Sequence, residues 1–139
     1  MPTTPYLHFD GQCVHAMAFY IDVFGGTDLR SMRYADMPDA PEAFRGSDRV
    51  MHSELTLGDD RLMASDYPPG SDAPPQQSVS VAQHAPDAAT AHRWFDRLAD
   101  GGTVVQPMVA SFFSPAFGMV RDRFGTQWIV MAAGDPPAA

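Results

Sequence analysis

The sequence predicts an α+β protein made of two βαβββ halves, and three observations carry that prediction. The order of elements runs strand, helix, three strands, and then repeats. A Pro-rich stretch from Tyr67 to Gln76, with four prolines and one glycine in ten residues, separates the copies as a linker. The two helices also match locally at a spacing of 75, Phe19-Tyr20 then Val23-Phe24 against Trp94-Phe95 then Leu98-Ala99. The halves cover about 6–66 and 77–132 of a single domain spanning 1–139.

Tyr6-Leu7-His8-Phe9 is a short strand closed by Asp10-Gly11. Cys13, Met17, Tyr20 and Phe24 then recur at i, i+4, i+7 and i+11, the one-sided pattern of a helix lying on a sheet. Asp10 is the expected cap of this helix and Gly25-Gly26 its stop. Leu29 to Tyr34 reads as the second strand, and Ala35 to Asp48, with Pro38 and Pro41, as a surface loop. Val50 to Leu57 and Arg61 to Ser65 form a hairpin around Gly58-Asp59-Asp60.

In the second half, Ser78-Val79-Ser80-Val81 alternates as a strand and Pro86-Asp87 caps a helix over 88–99. Gly101-Gly102 ends that helix. Thr103 to Gln106, Ala116 to Arg121 and Gln127 to Ala132 complete the half, the last two joined by the turn Asp122-Arg123-Phe124-Gly125. Residues 134–139 lack periodicity and read as a frayed tail.

Composition narrows the function. Net charge is −8 with a pI near 4.7, which repels phosphate backbones and anionic lipid and argues against nucleic-acid and membrane partners. All nine basic residues are Arg, so Schiff-base and Walker-type phosphate chemistry lack their lysine. Cys13, the one cysteine, makes no internal disulfide and no cysteine zinc cluster, and suits a reducing cytoplasm. The amino terminus lacks the basic and apolar regions of a secretory signal, and the longest all-apolar run, Trp128 to Ala133, spans no bilayer. Neither Gly-x-Ser-x-Gly nor His-Glu-x-x-His is present.

Several segments in this order carry a resemblance: Tyr6-Leu7-His8-Phe9-Asp10-Gly11, Phe19-Tyr20, Phe24-Gly25-Gly26, Met51-His52-Ser53-Glu54-Leu55-Thr56, Leu62-Met63-Ala64-Ser65-Asp66, Phe117-Gly118-Met119-Val120, and Asp122-Arg123-Phe124-Gly125-Thr126-Gln127-Trp128. From Tyr6 to Ala132 the chain resembles the PhnB-like subfamily of the vicinal oxygen chelate superfamily, the glyoxalase and bleomycin-resistance group. The resemblance implies a cup-shaped mixed sheet with helices outside and a small-molecule cavity inside. It also brings a label, demethylubiquinone methyltransferase, that the sequence does not support. No Gly-rich loop leads from a first strand into a helix, and the layout is not the doubly wound parallel sheet of a typical methyl-donor site.

Side-chain alternation then divides each strand into a helix-facing and a cavity-facing row. Leu55, Leu57, Leu62, Ala64, Val79, Val81, Trp128 and Val130 mark the helix side. His52, Glu54, Thr56, Met63, Ser65, Ser78, Ser80, Gln127 and Ile129 fall inside, and His8 shares the helix-facing parity of Tyr6. Metal-dependent members of the superfamily hold a divalent ion on four strands. The aligned positions here are Pro5, about Met63, about Ser78 and Ile129, none a strong ligand, so no metal and no cofactor are expected.

The expected function is metal-free binding of a small organic molecule by His52, Glu54, Ser65, Ser78, Ser80, Phe113 and Gln127, with drug or toxin sequestration as one form of it. The alternative is an enzyme. It is either a glyoxalase-type isomerase or lyase, or a metal-free proton-transfer catalyst in which Glu54 supports His52 as base. Asp66 is a further acid near that pair. His15, His84 and His92 read as solvated residues of helices or connections, and Cys13 as buried and inert. The uncharged stretch Val105 to Phe117, with Phe112 and Phe113, suggests the seam of a homodimer or a lid over the cavity.

Overall fold

The structure, a computed structural model, describes residues 1–72 and 74–134. Most of the predicted tail, from 135 onward, lies outside the described residues. The chain divides into a first compact unit, Met1–Pro75, and a second beginning at Gln76. In the first, β1 (Tyr6–Phe9), α1 (Cys13–Phe24), β2 (Thr27–Arg33), β3 (Val50–Leu57) and β4 (Asp60–Asp66) follow one another. The second repeats the order as β5 (Val81–Ala85), α2 (Ala88–Ala99), β6 (Thr103–Ser111), β7 (Ser114–Arg121) and β8 (Gln127–Ala132). The predicted α+β class with two βαβββ modules is the observed one.

Each unit is a four-stranded mixed sheet, ordered β1-β4-β3-β2 in the first and β5-β8-β7-β6 in the second. The outer pairs β1·β4 and β5·β8 are parallel and the other neighbours antiparallel. One helix covers one face of each sheet. Cys13, Ala16, Met17, Tyr20 and Val23 form the buried stripe of α1, which packs on β3 and β4, where Leu55, Leu62 and Ala64 are buried. The stripe of α2 is Ala91, Phe95 and Leu98, set against Ala116, Val120, Trp128 and Val130. Ala16, Tyr20 and Val23 match Ala91, Phe95 and Leu98 at the predicted spacing of 75. Burying each large apolar side chain of these stripes contributes about 1.5–3 kcal/mol.

The two helices begin differently. Asp87 caps α2, its Oδ1 accepting the Thr90 N–H at 2.7 Å, and that bond holds its carboxyl below the usual range. The cap expected of Asp10 on α1 does not form, because Asp10 is 2.8 Å from the Arg49 guanidinium. Asp66, at the end of β4, takes over and accepts the N–H groups of Gly11 at 2.9 Å and Cys13 at 3.0 Å. The αL conformation of Gly25, at φ 77°, ends α1 as its position predicts.

Three further elements differ from the sequence reading. The loop over 35–48 is partly ordered by two 3-10 turns, Tyr34–Asp36 and Glu42–Phe44, whose Tyr34 and Phe44 rings meet edge to face at 5.1 Å. The strand expected at 78–81 lies instead at Val81–Ala85. Ser78 sits in a bend with φ 62°, and residues 78–80 are exposed and outside the sheet. The stretch Val105 to Phe117 forms the hairpin of β6 and β7, turning at Phe112-Phe113, where the sequence reading placed strand only up to Gln106 and again from Ala116. Pro107 is tolerated because β6 is an edge strand with register shifts on either side of it.

Candidate functional site

On β3, Ser53 and Leu55 are buried toward α1 at 1% and 0% exposure, so His52, Glu54 and Thr56 point to the opposite, open face. Leu62, Ala64 and Asp66 of β4 face the helix, leaving Met63 and Ser65 on the opposite side, where Met63 is half-buried and Ser65 is buried at 6% exposure. The parity expected on β1 is reversed. Leu7 and Phe9 are the buried pair, at 4% and 3%, and Tyr6 and His8 stand on the open face. On the open face the phenol meets His52 and the imidazole meets Ser65, while the apolar Leu7 and Phe9 take the buried side. Across the sheet Tyr6, Met63, Glu54 and Arg30 are paired in one row, and His52 is level with Met32.

The open face gathers these side chains into one chain of contacts. Ser65 Oγ lies 3.4 Å from His8 Nδ1, and the His8 ring stacks on Tyr6 with centroids 5.1 Å apart and planes 30° apart. The Tyr6 hydroxyl is 2.9 Å from His52 Nδ1. His52 Nε2 in turn lies 3.9 Å from Glu54 Oε2, which an Arg61 nitrogen approaches at 3.8 Å. Tyr67 closes the far side, its ring 5.4 Å from that of His8. His52, Glu54 and Ser65 are thus linked through Tyr6 and His8, two residues the sequence reading left out of the site. The signal that would have found them was present in the alternation of Tyr6-Leu7-His8-Phe9, once Leu7 and Phe9 are taken as the apolar row.

Asp66 does not belong to this group. It faces α1, and its Oδ2 accepts the Val50 N–H at 2.8 Å while Oδ1 accepts the two N–H groups already described. Cys13 beside it is buried, and burial, then the Asp66 charge, pushes its thiol up to about 12.

The remaining predicted residues lie in the second unit. Trp128, Val130 and Ala132 face α2, so Gln127, Ile129 and Met131 line the open side of β8. Gln127 stands at the strand start and donates to the Val79 carbonyl at 3.3 Å. Phe113 is at the β6–β7 turn, its ring 5.1 Å from Phe112 and from Phe117, and Phe117 lies on the open face of β7. Ser78 and Ser80 precede β5 and are exposed, which removes the strand alternation that selected them. Val79 is 71% exposed rather than helix-facing, for the same reason. His84, read as part of a connection, is in β5 and paired with Met131 on the open face.

The ligand positions of a divalent ion can be checked on the same strands. With parity corrected, β1 and β4 offer Tyr6 with Met63 and His8 with Ser65; β5 and β8 offer Ala82 with Ile129 and His84 with Met131. Among the described residues no three His, Cys, Asp or Glu side chains draw together as a metal site. These donors do not fit the ion that the resemblance implies.

Two βαβββ modules, each a four-stranded mixed sheet with its helix on one face, define the vicinal oxygen chelate class. The match to the family described as 3-demethylubiquinone-9 3-methyltransferase runs over residues 2–131, and the chain belongs to this PhnB-like family. Protein YjdN of Escherichia coli (strain K12) is 27% identical over 99% of both chains. Among solved structures, protein PA1353 of Pseudomonas aeruginosa is 35% identical, with TM-score 0.86 over 97% of this chain and 99% of that one. The PhnB protein of Bacillus cereus follows at 23% and 0.74, over 96% and 100%. FosX, a fosfomycin resistance protein of Listeria monocytogenes solved with Mn(II), shares the fold alone, at 11% and 0.65 over 96% and 93%. No described helix is long and apolar enough to cross a membrane.

Proposed function

We propose that the protein binds a small organic molecule on the open face of its first sheet, without a metal ion, through His52, Glu54 and Ser65 together with Tyr6 and His8. One observation carries the reading: the hydrogen-bonded and stacked chain from Ser65 through His8 and Tyr6 to His52 and Glu54, on the face opposite α1. Polar tips on rigid strands, set among Met63 and aromatic rings, are what a small-molecule site requires. Gln127 and Phe113 belong to the other sheet and are not needed for it. Methyl transfer is no part of the reading, since the turn from β1 to α1 is Asp10-Gly11-Gln12, not a Gly-rich loop. Glyoxalase-type isomerase or lyase chemistry is set aside because the donors do not fit its ion.

The same reading places the protein in the cytoplasm as a homodimer. Support for pairing comes from Val105, Val109, Phe112 and Phe113 on the β6–β7 hairpin, each at least 44% exposed and without a charged neighbour between them.

A thermal-shift screen of small aromatic and carboxylic acids, followed by calorimetric titration of each hit, tests the binding. The affinity of a hit should fall at least tenfold in His52→Ala and in Ser65→Ala, a loss of about 1.4 kcal/mol. Hits that bind these variants as tightly as the native protein would overturn the assignment.

A further inference from the structure

We infer that the open face of the first sheet is a proton relay in which the Tyr6 phenol takes the ligand's proton and passes its own to the His52 imidazole, so that the ligand class is a small carbon or oxygen acid. This rests on the binding reading above and adds an activity to it. His52 Nδ1 is 2.9 Å from the Tyr6 hydroxyl, and the Glu54 carboxylate lies 3.9 Å from Nε2, beyond hydrogen-bond distance but on the side where its charge attracts a proton. A carboxylate beside Nε2 favours the tautomer that carries its proton there, which leaves Nδ1 as a bare lone pair. The phenol O–H is then the donor to Nδ1. With Nδ1 accepting from the phenol and the proton on Nε2, His52 offers a ligand no open lone pair, whereas the Tyr6 oxygen keeps its own; both side chains are about equally exposed.

The transfer balances without another reactant. A proton leaves the ligand's C–H or O–H bond for Tyr6 Oη as the phenol's own proton passes to His52 Nδ1. The ligand retains the electron pair and becomes an anion, and the imidazolium that forms lies against Glu54. A phenol ionises near pH 10 and would be a poor base at neutral pH if it had to lose its proton first. Because one proton arrives as the other departs, no free tyrosinate is needed. His8 is a positioning residue: stacked on Tyr6 and within 3.4 Å of Ser65 Oγ, it fixes the plane in which the phenol reaches Nδ1.

Nitrogen-15 NMR of the histidine-labelled full chain and the ring opening of nitrobenzisoxazole, which needs only the removal of one carbon-bound proton, test the relay. The expected results are an Nε2-protonated His52 whose population shifts toward the Nδ1-protonated form in Tyr6→Phe, and a ring-opening rate that falls at least tenfold in Tyr6→Phe and His52→Gln. His92→Gln, on α2, should leave the rate unchanged. An Nδ1-protonated His52 in the native protein overturns the relay. So does a native rate no higher than that of free tyrosine amide with imidazole, or a native-like rate in Tyr6→Phe. None of these outcomes touches the binding reading, which stands or falls on the affinities of His52→Ala and Ser65→Ala.

Discussion

Asp66 ties three segments of the first unit together with one carboxylate. It accepts N–H groups from the turn before α1, from the first residue of α1 and from the first residue of β3, and is 1% exposed. Removing it leaves three backbone donors without that acceptor, two of them, at Cys13 and Val50, in buried bonds, and a buried donor left unpaired costs about 1–3 kcal/mol. Asp66→Ala should lower the stability of the native protein by about 2–6 kcal/mol in a urea titration. Cys13 gives a second measurable consequence. Its thiol ionises near 9 in an unfolded chain and is pushed up to about 12 here by burial first and the Asp66 charge second. The folded form therefore keeps its proton where the unfolded form loses it. The sign follows: this contribution is complete below pH 9 and is lost as pH rises toward 12. Cys13→Ala should flatten the fall in urea midpoint between pH 8 and pH 11, and the native thiol should resist alkylation at pH 8.

At the scale of elements, the junction of α2 with its sheet depends on Gly102. A Cβ at that position would meet the Arg121 carbonyl oxygen, and would lie 3.0 Å from Asp122 Cα and from the Leu98 carbonyl oxygen. All three are backbone atoms that cannot rotate away, so the end of α2 must separate from β7 to admit a methyl group. Gly102→Ala should destabilise by about 1–3 kcal/mol, the range for overpacking, and be visible as a lower midpoint in thermal unfolding. Gly25→Ala, where nothing lies within 4 Å, should show only the smaller strain of its positive φ. Element boundaries were legible where a periodic stripe met a breaker, as in α1 and α2. They were not legible at β5, where Ser78-Val79-Ser80-Val81 alternates yet only Val81 enters the sheet: alternation reports a preference for pairing, and pairing requires a neighbour in register with β8.

For the whole molecule, the proposed function makes two statements that solution measurements decide. Adding zinc, nickel or manganese should leave the melting temperature unchanged. A site held at 1,000 times its dissociation constant would add about 4 kcal/mol, enough to shift the transition of a chain this size by several degrees. Light scattering at micromolar concentration should give a mass near twice the 15.1 kDa of one chain; a value near 15.1 kDa would leave the exposed β6–β7 hairpin without its partner.

The sequence by itself determined the class and the repeat, because both follow from local periodicity: apolar stripes at 3.6 residues, alternation at two, and Gly or Pro where the chain must turn. It also placed His52, Glu54 and Thr56 on one face, since Leu55 and Leu57 leave that strand a single apolar row. Only the tertiary structure decided which face of β1 looks outward, and with it the contact between Tyr6 and His52, 46 residues apart. Leu7-Phe9 and Tyr6-His8 are rows of similar bulk, and the choice between them depends on which polar partners the neighbouring strands bring. Parallel pairing with β4, and the antiparallel pairing of β4 with β3, set Tyr6 in the row of Met63 and Glu54. That register is a property of long-range hydrogen bonding, and no window along the chain contains it.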